Sequence, residues 1–366
     1  MNLLIFHPTI APYRIDLFND LCCAFHTRVC LMYKNLKSQH FDYDQIASKF
    51  CFTPEYLKEK WKIGRYTIYS GYWRHLREFH PDIVIVGEFG LGTLAVLTYK
   101  WFFQGGFKIV SVCDDSYDMV AEDNDFSWTH RIARKVFVPM LDDLILVEPR
   151  TVEWYKQHYN KGVYFPIIRE EKRARRKYEA LLPLSRMTME EYKLKGKCVF
   201  LFVGRLVALK NVSTVIRAFS KLDQSTNALV IVGDGTEKEN LHKLSETLCV
   251  NVFFTGRLED DFLYQWYNIA HCFILASYKE PFGAVTNEAL LAGCWCLISN
   301  KAGSQCLVEE GVNGYTFNPM DEDELVEKME KVRSNMIIDE TEKLRPNLMR
   351  VDYGERMTNL INTLKA

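Results

Sequence analysis

The chain has 366 residues, long for one ordinary domain and suited to two of about 100–200 residues each. Hydrophobic residues make up 48% and charged residues 25%, the balance of a globular protein with sizeable cores. The formal net charge of -1 supplies no basic field, so no nucleic-acid partner is expected.

In chain order, apolar runs at 3–6, 29–33, 83–86, 109–112 and 144–147 read as buried strands. Helical periodicity lies between and after them, at 13–25, 71–79, 93–103, 128–141 and 150–158. The stretch 34–65 is aromatic and polar and reads as a long loop with partial structure, a class that often carries function. The rhythm then restarts. Strands are expected at 198–203, 228–232, 252–255, 272–276 and 295–299, and helices at 212–222, 237–248, 261–270, 285–292 and 322–333. Strands alternating with helices indicate βαβ units and parallel sheets, so the fold class is α/β with two Rossmann-like domains, 1–175 and 190–349. Ligands of such sheets sit at the C-terminal strand ends, which makes a cleft between two facing sheets the expected site. The boundary falls in 168–197. There, 169–177 carries six basic residues against two acidic ones, and reads as a solvated linker or helix face, or as a peripheral membrane contact.

The 11 cysteines are scattered; Cys22 and Cys23 are adjacent, and Cys294 and Cys296 two apart, neither a metal-binding CxxC pair. Most read as buried free thiols in a reducing compartment. The first eight residues lack the basic region and the apolar length of a signal peptide. No apolar run reaches the ~18 residues of a membrane span; the nearest, 89–103, reads as a buried loop and helix. The expected location is cytoplasmic, with peripheral contact at the inner face of the membrane as a variant.

Several strand ends carry polar turns. After strand 198–203 come Gly204, Arg205 and, as the next helix opens, Lys210 and Asn211. A glycine lets the backbone bend, and two cations beside a helix N-terminus suit a diphosphate. After strand 272–276 comes a loop with Glu280, Pro281 and Gly283, then Ala284, Val285 and, within the first helical turns, Glu288. Carboxylates there accept hydrogen bonds from sugar or ribose hydroxyls, and the free amides at 283–285 can face a phosphate. Gly233, with Asp234 and Gly235, ends one strand, and Gly256, Arg257 and Leu258 end another. Each turn alone would pass for an ordinary βα connection.

Taken in order, these pieces resemble the donor domain of family 4 retaining glycosyltransferases with the two-Rossmann-domain GT-B fold. The resemblance runs from about Phe200 to Phe317, through Gly204-Arg205, Lys210-Asn211, Gly233-Asp234-Gly235, Gly256, the Glu280-Pro281-Phe282-Gly283 run, Glu288-Ala289, Gly293, Gly303 and Gly311 to Gly314. It implies that Arg205 and Lys210, with the amides of Gly283, Ala284 and Val285, hold a donor diphosphate. It implies that Glu280 contacts the transferred sugar and Glu288 the ribose, with Gly204, Gly233, Arg257 and Leu258 around the nucleotide. It also implies that the chain end, 350–366, returns to the first domain; the tail from Asp339 is amphipathic and reads as helical.

The first half resembles the family less. His7-Pro8 to Tyr13-Arg14 replaces the Gly-Gly loop of many relatives, and Tyr13, Arg14 and Glu88 are candidates for an acceptor or phosphate. Many relatives place a histidine where strand 109–112 ends in Cys113-Asp114-Asp115. Asp114 is the candidate polar group near the reacting sugar, with His7 and His130 as alternatives. The family implies a nucleotide-diphosphate sugar as donor substrate, no cofactor and no metal, transfer with retention, and a saccharide or lipid-linked acceptor in polysaccharide or lipopolysaccharide synthesis. A nucleotide-sugar 2-epimerase and a non-catalytic GT-B binding subunit are the rivals. A nicotinamide-dependent dehydrogenase lacks its GxGxxG turn.

Overall fold

The computed structural model describes residues 1–34, 43–63, 66–122, 127–336, 338 and 343–366. They divide into two compact units, Met1–Arg169 with Tyr353–Ala366, and Glu170–Asp352.

The first unit is built on strands β1 (Asn2–His7), β2 (His26–Leu31), β3 (Glu55–Tyr56), β6 (Ile83–Gly87), β7 (Lys108–Cys113), β8 (Asp143–Leu146) and β9 (Val163–Tyr164), in the order β3-β2-β1-β6-β7-β8-β9. Strands β4 (Lys58–Ile63) and β5 (Tyr66–Ser70) form a separate antiparallel hairpin. All pairings of the large sheet are parallel. Helices on both faces explain the unbroken apolar runs: Leu3, Leu4 and Ile5 of β1 and Ile83 and Val84 of β6 have no exposed surface.

The second unit repeats the plan with β10 (Cys198–Val203), β11 (Asn227–Val232), β12 (Val252–Gly256), β13 (Cys272–Leu275), β14 (Trp295–Ser299) and β15 (Gly314–Phe317), in the order β12-β11-β10-β13-β14-β15 and parallel throughout. Every residue of β10 is buried, so Leu201→Ala there would cost about 2–5 kcal/mol. In both sheets the strand order reverses beside the first strand, between β1 and β6 and between β10 and β13. A crevice opens at the C-terminal strand ends at each such point.

Several elements differ from the sequence reading. The two-residue β9 and the half-buried β15 are too short or too polar to stand out as strands. Part of 34–65 is ordered as a helix Tyr43–Ala47 with β3 and β4, while 35–42 and 64–65 lie outside the described residues. The expected boundary 168–197 forms two helices, Glu171–Ala180 and Leu182–Glu191, with Ala174, Tyr178, Leu182 and Met189 buried in the second unit. The basic run is partly consumed there. Arg175 donates to the Leu291 carbonyl at 2.7 Å and to that of Arg345 at 2.9 Å, and Lys177 pairs with Asp260 and, at 3.0 Å, with Asp261.

The tail is not one helix. Residues 343–350 run without regular structure along the second unit, where Arg345 donates to the Tyr267 carbonyl at 2.9 Å, and the helix Tyr353–Lys365 packs in the first unit, with Tyr353 donating to Asp20 at 2.7 Å. Residues 339–342 lie outside the described residues. The segment 89–103 is a helix, Leu91–Phe103, but it is not buried throughout: Leu91, Leu94, Trp101, Phe102 and Phe103 are exposed. Among the described residues no helix is long and apolar enough to cross a membrane.

Candidate functional site

In the second unit, β10 and β13 lie side by side, and the loops after them meet. The β10 loop carries Gly204 and Arg205 to a 3-10 turn, Ala208–Lys210, which ends at Asn211 in a left-handed conformation (φ 54°). Asn211 is buried and donates to the Pro319 carbonyl at 2.9 Å, which fixes the exit of the turn. The β13 loop is tied to it by Tyr278 N–H donating to the Leu209 carbonyl at 3.0 Å. The Lys210 ammonium then forms an ion pair with the Glu280 carboxylate, both largely buried.

The Glu280 loop is clamped from its other side. Glu280 N–H donates to the Lys301 carbonyl at 3.2 Å, Gly303 N–H to the Glu280 carbonyl at 3.0 Å and Ser304 N–H to the Phe282 carbonyl at 2.7 Å. Gly283 sits at φ +93°, where a side chain would be strained and a Cβ would stand 2.6 Å from Leu275. The glycine therefore sets both the turn and the start of the short helix Val285–Leu291, beside Glu280 and Ser304.

Glu288 lies in that helix and is held by three tyrosines. Tyr264 donates to its Oε1 at 3.2 Å, Tyr267 to its Oε2 at 3.1 Å and Tyr178 to its backbone carbonyl at 3.0 Å. Burial, then Glu288 itself, holds the Tyr267 hydroxyl well above its ordinary pKa, so it stays a donor.

The turn glycines bring strand ends together. Gly204 N–H donates to the Val232 carbonyl at 3.0 Å, Gly233 N–H to that of Gly256 at 2.8 Å, and Leu206 N–H to that of Asp234 at 2.9 Å. A Cβ at Gly233 would lie 1.8 Å from the Gly204 carbonyl oxygen, so nothing larger than glycine fits that approach. Arg257 is exposed and engages Glu259, while Leu258 is half-buried. Arg205 is exposed, with no side-chain ion pair recorded among the described residues.

In the first unit the candidates gather where β1, β6 and β7 end. Arg14 is buried and ion-paired with Asp114, and its Nη1 has no hydrogen-bond partner. Tyr13 beside it is half-buried. His7 ends β1, with Nδ1 2.6 Å from the Thr9 carbonyl. Burial, reinforced by Arg14 and opposed by Thr9 and Asp114, lowers its pKa to about 4, which leaves the ring neutral at pH 7. Glu88 follows β6 in a left-handed conformation (φ 51°). Its pKa is raised by the surrounding protein and by Asp114 and Asp115, against His130 and Arg14. Because the side chain reaches solvent, the upward direction rests on the two carboxylates.

Sequence reasoning missed the support beneath this cluster. Asp115 is buried and accepts from Tyr155 at 2.7 Å and Arg134 at 3.4 Å, with His130 Nε2 3.7 Å away. Glu148, at the end of β8, accepts from Tyr117 N–H at 3.0 Å and Thr151 at 3.3 Å. The Asp114-Asp115 tandem at a strand end was the available signal for the first network, and the i, i+3 spacing of Tyr264 and Tyr267 for the support of Glu288.

The family model described as Glycosyl transferases group 1 matches residues 188–348. An uncharacterized glycosyltransferase of Methanocaldococcus jannaschii is 34% identical over 140 residues, covering 37% of this chain and 36% of that protein. The sulfoquinovosyl transferase of Arabidopsis thaliana is 30% identical over 136 residues, covering 36% of this chain and 26% of that one. The matches thus span well under half the length of these curated relatives. Among solved structures, Anabaena HepE in complex with UDP superposes with TM-score 0.77 at 17% identity, covering 100% of both chains. The lipopolysaccharide outer core galactosyltransferase WaaB gives TM-score 0.68 at 17% identity, covering 99% of both. Residues 188–348 therefore match the glycosyl transferases group 1 family, within a chain whose two parallel-sheet units have the fold of GT-B glycosyltransferases.

Proposed function

We propose that the chain transfers a sugar from a nucleotide-diphosphate sugar to a hydroxyl of a saccharide or lipid-linked acceptor, with retention of anomeric configuration and without a metal. The observation that carries this reading is the Lys210–Glu280 ion pair at the point where the second sheet reverses its strand order. It brings a phosphate-binding cation and a hydroxyl-binding carboxylate together at the ligand position of such a sheet. The Anabaena relative's structures with UDP and with UDP-glucose support a nucleotide-sugar donor at the level of fold.

Breaking the bond from C1 to the leaving oxygen builds positive charge on the sugar and negative charge on the diphosphate. In this reading Arg205, Lys210 and the amides of Gly283, Ala284 and Val285 stabilise the diphosphate, which replaces any need for a metal. The arriving diphosphate draws Lys210 from Glu280, whose carboxylate then takes up hydroxyls of the transferred sugar. Glu288 accepts the ribose hydroxyls, while Gly204, Gly233, Arg257 and Leu258 border the nucleotide. In the first unit Arg14, with its unpartnered Nη1, and Tyr13 and Glu88 receive the acceptor or a phosphate. Asp114 is the polar group near the reacting sugar. The two domains of this reading, 1–175 with the chain end and 190–349, divide acceptor and donor binding, and the setting is the cytoplasm.

The test is a binding and hydrolysis screen of the wild-type chain and Glu280→Ala against UDP-, GDP-, ADP- and dTDP-sugars without added metal. The expected result is one donor that binds and is slowly hydrolysed, with turnover lost and nucleotide binding largely kept in Glu280→Ala. Absence of nucleotide-sugar and nucleoside-diphosphate binding at millimolar concentration would overturn the donor-site assignment and favour a binding subunit.

A further inference from the structure

At the end of β6 the chain passes through Glu88 in a left-handed backbone conformation, φ 51°. Elsewhere among the described residues this conformation mostly closes helices, as at His80, Gln104 and Asn160, where it is ordinary. Glu88 follows a strand instead, and a glycine there, like its neighbours Gly87 and Gly90, would relax the turn. Three hydrogen bonds hold the backbone in place. Glu88 N–H donates to the Val112 carbonyl at 2.9 Å, and the Glu88 carbonyl accepts from the buried hydroxyls of Thr93 at 2.7 Å and Ser111 at 3.0 Å. Backbone held against its preference in this way clusters at sites that bind ligands.

The turn after β1 joins this carboxylate to two tyrosines. Met32 N–H donates to the His7 carbonyl at 3.2 Å, and Tyr33 N–H to the Pro8 carbonyl at 3.1 Å. On its other side Pro8 packs so closely on Gly87 that a Cβ there would lie 2.8 Å from its Cδ, and a Cβ at Gly92 would lie 3.2 Å from the Met32 methyl. Tyr33 and Glu88 therefore flank Pro8 where the first sheet reverses its strand order. The Tyr69 ring, from β5 of the hairpin, stands 6.4 Å from that of Tyr33, tilted by 49°, and packs against the core of the first unit. Both rings are half-buried, and neither hydroxyl has a hydrogen bond among the described residues. Burial first, then Tyr69 and Glu88, raise the Tyr33 pKa, and burial and Glu59, against Lys62, raise that of Tyr69, so both hydroxyls stay donors.

We propose that Tyr33, Tyr69 and Glu88 form a subsite for a neutral sugar ring, the acceptor saccharide of the proposed reaction. A carboxylate that accepts, two phenols that donate and half-buried aromatic faces match a ligand that alternates hydroxyls with apolar C–H faces. An anion fits poorly. Glu88 repels it, and Arg14, a cation of the same cluster, is ion-paired with Asp114. The subsite thus narrows the occupant of the Glu88 turn from an acceptor or a phosphate to an uncharged saccharide. Its role as the acceptor subsite rests on the sugar-transfer reading; the binding itself does not, because it is measured without a nucleotide sugar.

The experiment is saturation-transfer NMR of the full chain with the methyl glycosides of glucose, galactose, mannose and N-acetylglucosamine, at concentrations up to tens of millimolar. UDP binding is titrated in parallel. The wild-type chain is expected to bind at least one glycoside. Tyr33→Phe and Tyr69→Phe, which each remove one donor and keep the ring, should weaken it about three- to tenfold, and Glu88→Gln about tenfold, with UDP binding unchanged in all three. Circular dichroism identifies any variant that fails to fold, and Glu88→Gln, at an exposed position, then carries the test. The proposal is overturned if the wild-type chain binds none of the glycosides, if the three variants bind as the wild type does, or if inorganic phosphate displaces the glycoside. It is overturned equally if the variants lose UDP and glycoside together, since the residues then serve the fold or the donor. A chain that binds a glycoside through these residues and no nucleoside diphosphate would keep the subsite and remove the sugar-transfer reading.

Discussion

Replacing Gly233 by alanine tests how the proposed nucleotide end of the second unit is assembled. The residue sits at φ +150°, and an added Cβ would lie 1.8 Å from the Gly204 carbonyl oxygen, where real Cβ contacts stay beyond 3.0 Å. The ends of β10 and β11 must part by more than an ångström, and the Gly204–Val232 hydrogen bond between them stretches with them. Forcing an alanine into a glycine conformation costs about 1–3 kcal/mol, and overpacking a well-packed contact about 1–3 kcal/mol more, so the expected loss is about 2–6 kcal/mol. Gly256→Ala is the control. It has φ +76° but nothing within 4 Å of the added carbon, so only the backbone penalty of about 1–2 kcal/mol applies. Urea unfolding followed by tryptophan fluorescence compares the two variants, and titration with UDP reports the binding surface. Gly233→Ala should unfold at clearly lower urea than Gly256→Ala and bind nucleotide more weakly. Equal midpoints would refute the reasoning, because the close approach of the β10 and β11 ends would then carry no energy.

Two further outcomes follow from the buried polar groups. His7 has its pKa lowered from 6.5 to about 4, so below pH 6.5 the unfolded chain takes up a proton that the folded chain refuses. Stability should fall as pH drops from 6.5 towards 4, by at most about 3 kcal/mol, and be insensitive to this group above 6.5; His7→Gln should flatten that limb of the profile, and an unchanged profile would remove the assignment. Tyr267→Phe deletes a hydroxyl held 3.1 Å from Glu288 and should cost about 1.5–3 kcal/mol in stability and weaken nucleotide binding; a variant that binds and unfolds like the wild type would show that Glu288 needs no such support.

Much of the fold was legible in the chain because parallel sheets covered on both faces write themselves as continuous apolar runs. β10 and β13 are visible in this way, and the glycine-bearing turns after them mark the strand ends that carry Lys210 and Glu280. Short or half-exposed elements left no such mark. β9 and β15 are completed by neighbours rather than by their own side chains, and the helices 171–180 and 182–191 read as a linker because their charged faces hide Tyr178 and Ala174.

The sequence by itself determined two series of strands and helices, the order of the turns and the residue types at each strand end, because these depend on local periodicity and backbone freedom. Only the tertiary structure decided which ends meet. Lys210 and Glu280 are 70 residues apart and are joined because the second sheet places its first and fourth strands side by side, and Arg14 and Asp114, 100 apart, are joined across the ends of β1 and β7, which flank β6 in the first sheet. The tyrosines on Glu288 and the Asp115 network belong to the same class. So does the exposure of Trp101, Phe102 and Phe103 in a segment whose apolar run reads as buried, since burial depends on what packs against a helix and not on the helix itself.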